Sequence, residues 1–519
     1  MADFYALPNP NLRSYLERQV EGQSRIITTP FAEGESTEEL LSGWNTYLEG
    51  MKAPFTTLYS FEQDMRSKVG PLSVQRSLKD RLPSIEDYYN AVEHAGEPIS
   101  EEAIQRFIIE CRRAKGLRMR QVDATVASMK LSTNSGNPYF TTRRRVLEQT
   151  TPYLIEREGV SDWKVTLPEW IGYLCATLGW RGQEGGPDPD DVKQRVLWMF
   201  SFAANIEELR VYQPLIQAFQ KAHLVPGWEG NDEVDKRITR LFDTKGNNLL
   251  ICTDFSKFDQ HMNHNMQLCA ETVLSQLFDD SASFQRWKSS CFPIKYTLPL
   301  CYQWGYVMKG LHGMGSGSGG TNADETLSHR CLQHEAALLH AAQLNVNSMC
   351  LGDDGVLSYP GITVNQIVDA YERHGQVCNV EKQYASQEDC VYLRRWHHRD
   401  YRVDGVCVGV YSTMRALGRL RYMERWIDPK KWGQKAVAMR QLSILENCRY
   451  HPLGEEFVQY CAKRDKFRLG KDIPGFMDNL DAEYRKAEAE GTLVVSYSAT
   501  FGNPKPPSQW WVTKVVNNL

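Results

Sequence analysis

The sequence predicts an α+β fold centred on an antiparallel sheet, and three observations predict it. Residues 346–359, VNSMCLGDDGVLSY, place two short β-prone runs either side of Gly352-Asp353-Asp354, which reads as a hairpin. Residues 248–254, NLLICTD, form a second apolar run that ends in a carboxylate. Residues 260–278 and about 322–344 carry helical patterning around both runs. A length of 519 residues, 42% hydrophobic and 24% charged, suits several subdomains around one large core.

In chain order, residues 1 to about 60 are mixed and interrupted by proline, and read as an arm lying across the body. Residues 101–130 read as helical and basic, and LSTNSGNPY at 131–139 as a polar loop beside Arg143-Arg144-Arg145. Small residues next to arginines suit a phosphate backbone, because amides and hydroxyls contact phosphates directly. After the loop RGQEGGPDPDD, residues 192–198 read as a strand, with Lys193 and Arg195 on one face. Paired cations on an apolar strand want an anion such as a triphosphate. An edge strand with exposed basic residues is the plain alternative.

GMGSGSGGT at 313–321 contains GxGxxG in Gly315, Gly317 and Gly320, formally a dinucleotide fingerprint. It lies beyond the midpoint without a βαβ unit, so it reads better as a loop whose backbone approaches a nucleotide or template, followed by a helix. After the hairpin, a helix stops near Gly375 and a loop or strand carries Lys382. Residues 391–396 are β-prone and basic. The chain is mainly helical from about Tyr401, and a tail at 494–519 packs on the body.

The chemistry lies in the carboxylates. Two adjacent aspartates at a turn between apolar strands repel each other and are costly to bury, unless a hard divalent cation takes up the charge. Asp254 ends one strand, Asp259 follows it, and Asp353 and Asp354 occupy the hairpin turn. Carboxylates so placed can converge on two ions, which sit about 3.5–4 Å apart in nucleotidyl transfer. His261 and His264 have no evident third ligand, so no metal role is expected of them.

The net charge of −4 does not suggest a nucleic-acid binder, but its distribution does. Residues 101–150 carry ten Lys and Arg against five Asp and Glu, and residues 391–425 carry eight against three. Basic patches on an acidic chain can line a channel. Thirteen scattered cysteines without a CxxC pair fit free thiols in a reducing compartment rather than a zinc site. The first residues lack a signal-peptide pattern, and no run of eighteen apolar residues is present, so neither secretion nor a membrane partner is expected.

The ordered set Asp254-x4-Asp259, Ser316-Gly317-x3-Thr321, Gly352-Asp353-Asp354, Lys382 and Leu393-Arg394-Arg395 resembles the viral RNA-dependent RNA polymerases. The wording DFSKFDQH and GSGSGGTNADET is similar to the picobirnavirus and partitivirus members of that family. Lys193-Gln194-Arg195 resembles its basic finger strand, and residues 133–138 its template-entry loop. The match spans roughly residues 130–400.

The resemblance implies a right hand of fingers, palm and thumb, with an antiparallel palm sheet flanked by helices and closed by an N-terminal arm. The implied divisions are an arm at 1–60, fingers at 61–245 and 274–310, palm at 246–273 and 311–400, and thumb with tail at 401–519. It implies that Asp254, Asp353 and Asp354 hold two Mg²⁺ ions, with Mn²⁺ as a substitute. Lys193, Arg195, Asp259, Ser316, Gly317, Thr321, Asn322 and Glu325 would bind the nucleotide, and Lys382 would protonate pyrophosphate. Thr133, Ser135, Gly136, Pro138, Arg394 and Arg395 would contact RNA. Partners would be template and product RNA, ribonucleoside triphosphates and a viral capsid protein, with a monomeric enzyme in the virion interior and host cytoplasm serving a double-stranded genome.

One position departs from the family pattern. Many members carry Asn four residues after the glycine-loop Thr, where this chain has Glu325, and the nearest Asn is Asn322. The rivals are a reverse transcriptase, which would usually show an aromatic residue at Asp259, a non-catalytic RNA-binding or capsid-associated protein, and a dehydrogenase built on the glycine loop.

Overall fold

The computed structural model describes residues 11–93, 96–493 and 505–519. The first ten residues of the expected arm and residues 494–504 of the expected tail lie outside these.

The central sheet has the strand order Tyr384–Ser386, Leu250–Thr253, Asp354–Leu357, Met349–Leu351, and every neighbouring pair is antiparallel. The continuous apolar run at 250–252 follows from burial on both faces. Ile251 and Leu357 face a core that includes Phe258, Met266, Leu327 and Tyr371, while Leu250, Cys252 and Val356 face Val234, Ile238 and Phe242 of the helix Asn231–Thr244. A strand covered on both sides has no polar face to alternate with.

The helices His264–Leu277, Thr321–Leu338 and Val364–Arg373 contribute to the first of these cores. The expected helix at 322–344 therefore starts one residue earlier and stops six residues sooner. A second sheet runs Lys193–Met199, Ala176–Gln183, Leu300–Gln303, Tyr306–Met308, with one parallel pair in its middle.

One expectation changes. Residues 101–130 are not one helix. Glu101–Glu110, capped by the Ser100 hydroxyl, passes into a short 3-10 turn, and Gly116 then takes φ +75°. Leu117 exchanges backbone hydrogen bonds with Leu277 (2.9 Å) and Asp279 (2.8 Å), so tertiary pairing overrides helix propensity. The β-prone run at 391–396 is a hairpin, Asp389–Tyr392 against Arg395–His398, turned by Leu393 and Arg394 at φ +51° and +60°.

The N-terminal segment ties distant parts together. Leu12 and Leu16 of the helix Asn11–Glu21 pack with Cys301 of the second sheet and with Cys175, which precedes its strand Ala176–Gln183. Thr28 then bridges Tyr422, and Arg421 donates to the carbonyls of Phe31, Ala32 and Glu35. The helices Thr37–Glu49 and Thr56–Lys68 do not lie loosely across the body. Leu40, Trp44, Leu58 and Phe61 share one core with Leu417, Leu442, Phe457 and Val512 near the C-terminus.

That union is polar as well as apolar. The buried Glu62 carboxylate caps the helix Thr413–Arg421, accepting from the amides of Thr413 (2.8 Å) and Met414 (3.0 Å). An anion at a helix N-terminus meets unpaired amides and the favourable end of the dipole. All thirteen cysteines are free and buried, in keeping with the sequence. No helix among the described residues is long and apolar enough to cross a membrane.

Candidate active site

Strand register brings the carboxylates together. Thr253 pairs with Gly355, so Asp254 and Asp354 stand side by side at the same end of the sheet. Asp353 precedes Asp354 in the turn opened by Gly352 at φ +58°. The helix Thr321–Leu338 fixes this turn through its backbone. Thr326 Oγ1 accepts from the Gly352 amide at 2.9 Å, and the Gly352 carbonyl lies 2.8 Å from His329 Nδ1. Burial pulls the His329 pKa down to about 4, so the ring is neutral and Nδ1 carries the proton it donates.

The charge of the cluster is unbalanced toward the negative. Burial raises the Asp254 carboxyl above its usual range, with Lys382 opposing and Asp353 adding to the shift. Burial and then the Asp353 charge push Asp354 up to about 7, against Arg394 and Arg195. Asp254 and Asp354, each raised by burial and by the Asp353 charge, stand with Asp353 at the edge of a packed sheet as a hard-oxygen donor set, which suits divalent cations.

Cations ring this centre. Lys193 and Arg195 are both exposed on one strand, as their spacing implies. The Lys193 ammonium is depressed by burial and then by Lys68 and Lys382, with Asp254 opposing, so these side chains feel one another across the cluster. Lys68, from the helix Thr56–Lys68, is a member that no sequence motif announces. Arg394 reaches toward Glu184 at 3.6 Å and is depressed by burial, with Asp354 among the charges that oppose the shift.

Beside the metal-competent carboxylates stands a second acidic pair. Asp259 and Glu325 lie within hydrogen-bonding reach, and burial followed by Asp259 itself holds Glu325 well above the usual carboxylate range. The helix begins at Thr321, which puts Thr321 and Glu325 on one face. Asn322 instead accepts from the Trp228 indole at 2.8 Å. The Tyr88 hydroxyl, which the sequence reading missed, contacts Ser316 and feels Asp259.

The glycine loop approaches its own sheet. A Cβ on Gly317, at φ +140°, would come within 1.9 Å of the Trp198 carbonyl. The Ser316 carbonyl accepts from the Trp198 amide at 3.0 Å, and the Ser316 hydroxyl donates to the Val196 carbonyl at 3.0 Å. Ser316 and Gly317 thus lace the loop to the strand that bears Lys193 and Arg195. The strand before the loop is antiparallel to its neighbour, which removes the dinucleotide reading. Asp324 anchors the start of the helix from beneath: it accepts from Tyr212 and Tyr296 at 2.7 Å each and pairs with fully buried Lys295 at 3.0 Å.

The RNA-contact set changes. Arg395 is buried at 6% exposure, and both arms of its guanidinium are held by Asp235, at 2.8 and 2.9 Å. It braces the sheet and has no fork left for a phosphate, so it leaves the set. Ser135, Gly136 and Pro138 are also buried. The Ser135 hydroxyl accepts from the Thr141 amide at 3.1 Å, and only Thr133 of the four loop residues is exposed. The loop's small residues serve close packing against Phe200 and Ser201.

His261 Nδ1 lies 2.9 Å from the Lys257 carbonyl. His223, Glu229 and Glu233 gather ligand atoms within 4.8 Å, but Lys236 already pairs with Glu233 at 2.6 Å. One further residue was not foreseen: buried Gln383 holds the backbone of Asp254 through both ends of its amide.

Comparison with known proteins agrees with this geometry. A family model described as viral RNA-dependent RNA polymerase matches residues 188–406. The potential RNA-dependent RNA polymerase of a human picobirnavirus (strain Human/Thailand/Hy005102/-) is 53% identical over 531 residues, covering 99% of this chain and 98% of that one. The chain belongs to the viral RNA-dependent RNA polymerases. The crystal structure of the RNA-dependent RNA polymerase of a human picobirnavirus superposes on this polymerase with TM-score 0.93 at 50% identity, covering 99% of this chain and 98% of that one. An insertion-loop deletion mutant of such an enzyme gives the same score and identity over 98% and 97%. The polymerase is therefore an RNA-directed RNA polymerase with a mixed α and β fold, acting on RNA and nucleotides. The dehydrogenase, reverse transcriptase and non-catalytic readings fall away.

Proposed function

We propose that this polymerase copies and transcribes a double-stranded viral RNA genome, adding ribonucleotides at the Asp254, Asp353 and Asp354 cluster. The observation that carries the reading is the meeting of these carboxylates on adjacent strands, opposite Lys193 and Arg195. Asp254 and Asp353 would hold two Mg²⁺ ions with Asp354 assisting, and Mn²⁺ would substitute. When bound, the ions supply charge stabilisation to the attacking and leaving oxygens.

The protein groups do the rest. Lys193 and Arg195 draw in and orient the triphosphate by charge-assisted hydrogen bonds. Lys382, exposed and carried by the turn beside Asp254, delivers a proton to the departing pyrophosphate. Asp259 and Glu325 recognise the ribose 2′-hydroxyl, with Thr321 on the same helix face. Ser316 and Gly317 keep the loop in place, and Asn322 is set by Trp228. Thr133 and Arg394 remain for RNA.

In the right-hand description, residues 61–245 and 274–310 are fingers, 246–273 and 311–400 palm, and 401–519 thumb. Residues 1–60 are the closing arm, supported by the packing of Leu12 and Leu16 against Cys301 of the second sheet and by the bridge from Thr28 to Tyr422. The enzyme acts as a monomer with a capsid protein as neighbour, in the virion interior and the host cytoplasm.

Primer extension with ribo- and deoxyribonucleoside triphosphates, with Mg²⁺, with Mn²⁺ and with chelator, tests the reading. Extension by ribonucleotides alone, abolished by chelator and restored by Mg²⁺, is expected. Equal use of deoxyribonucleotides, or extension without a divalent cation, would overturn it.

A further inference from the structure

The ladder between Leu250–Thr253 and Tyr384–Ser386 pairs Tyr384 with Cys252 and Ala385 with Ile251. Continued toward the site, this register would set Lys382 across from Asp254. The backbone does not continue it, because Val380–Lys382 curls into a single 3-10 turn. The Gln383 side chain fills the gap. Its Oε1 accepts from the Asp254 amide at 2.9 Å, and its Nε2 donates to the Asp254 carbonyl at 2.7 Å.

The same Nε2 donates to the Asn379 carbonyl at 2.9 Å, and the Asn379 side chain accepts from the Glu381 amide at 2.9 Å. A carboxamide offers a donor and an acceptor as a peptide group does. Gln383 thus replaces the missing rung of the ladder, while staying buried beside two exposed functional side chains. Asn would be one methylene too short for this span, and Glu would face the Asp254 carbonyl with no donor.

We propose that Gln383 is a positioning residue for nucleotide addition, clamping the backbone of Asp254 to the turn that carries Lys382 so that carboxylate and ammonium move as one unit. The inference rests on the roles given above to Asp254 and Lys382. Its physical basis is the steep dependence of a reacting geometry on alignment, where a shift of about 1 Å can cost about 10²-fold. A glutamine that merely stabilised the sheet would lower stability without regard to Lys382.

The test is single-turnover incorporation of a saturating ribonucleotide with Mg²⁺, in Gln383→Ala, Gln383→Glu, Lys382→Leu and the Gln383→Ala/Lys382→Leu double variant. Thermal melting and RNA binding are measured on each. Gln383→Ala and Gln383→Glu are expected to slow incorporation by about ten- to a hundredfold. Apparent nucleotide affinity and RNA affinity should stay within about twofold of wild type. In the Lys382→Leu background the further loss from Gln383→Ala should shrink to about threefold or less, because the two residues act together. Wild-type rates in both Gln383 variants, or equal losses in the two backgrounds, would sink the clamp. Should Gln383→Ala not fold, the near-isosteric Gln383→Glu and its double variant with Lys382→Leu decide on the same criteria. A wild-type rate in Lys382→Leu would remove Lys382 from the mechanism and the clamp with it. A slowed Lys382→Leu beside fully active Gln383 variants would overturn the clamp alone.

Discussion

Glu325 meets Asp259 carboxyl to carboxyl, and burial followed by the Asp259 charge raises its proton affinity well above that of an ordinary surface carboxylate. Glu325 can then donate to Asp259, which leaves Asp259 lone pairs free to accept from a sugar hydroxyl. A site built to bond a substrate hydroxyl can reject the analogue lacking it by as much as about 10⁴–10⁵. Glu325→Ala and Asp259→Ala should each reduce the preference for ribonucleotides, Glu325→Gln should retain more of it, and Asn322→Ala should reduce it less. The measurement is the ratio of kcat/KM for ATP and 2′-deoxy-ATP. Loss of preference in Asn322→Ala with retention in Glu325→Ala would assign the role to Asn322.

Asp353→Ala should abolish nucleotide addition and leave RNA affinity nearly unchanged. Carboxylates that gather cations serve the chemical step, whereas contacts from basic residues to the phosphate backbone supply most of the affinity. Extension and RNA binding measured on one folded preparation decide it. Retained turnover would falsify the metal assignment.

Lys193→Ala and Arg195→Ala should raise the apparent KM for nucleotides more than they weaken RNA binding. Both side chains project from the strand Lys193–Met199 beside the acidic cluster. Steady-state extension over a nucleotide titration gives the answer. A change confined to RNA affinity would move the two residues to the template path.

Arg395→Ala should destabilise the fold and leave the RNA affinity of the folded fraction alone. Removing one partner from a buried ion pair costs about 3–5 kcal/mol, and Arg395 with Asp235 is such a pair. Arg395→Lys should also lose stability, because lysine lacks the planar fork. Chemical denaturation reads the loss. Wild-type stability with weakened RNA binding would return Arg395 to the RNA-contact set.

Acid should weaken the fold through two of its buried histidines. Burial pulls His312 and His397 down to about 4. Unfolded histidines titrate near 6.5, so the unfolded chain binds more protons between those values. The stability from these two residues is whole above about pH 6.5 and is lost as pH falls toward 4, as much as about 3 kcal/mol for each. Denaturation midpoints at pH 7.5, 5.5 and 4.5 should fall in that order. His397→Gln should flatten the slope, and an unchanged slope would clear His397.

The hairpin, the strand before Asp254 and the start of the glycine-loop helix were legible because each is local. Apolar runs, a Gly-Asp-Asp turn and a change to helical periodicity declare themselves within a dozen residues. The failures depended on who sits opposite. Nothing in Leu393-Arg394-Arg395 tells which arginine is exposed, since Asp235 lies far away in sequence. The buried group of Asp324, Lys295, Tyr212 and Tyr296 joins three separate elements, and no spacing links them. Gly317 and Gly136 looked like room for a ligand, but the room is taken by the backbone of Trp198 and Phe200.

The core that the helices Thr37–Glu49 and Thr56–Lys68 share with the last helices bears on the order of events during synthesis. Trp44 and Phe61 leave the ribosome early, yet their partners Leu442, Phe457 and Val512 come at the end of the chain. Glu62 waits for the amides it caps until residue 414 exists. Helices of this length are marginal in water without packing, so these two depend on partners made later in the chain. A product truncated before Leu417 would leave the apolar faces of Trp44 and Phe61 without these partners and open to aggregation.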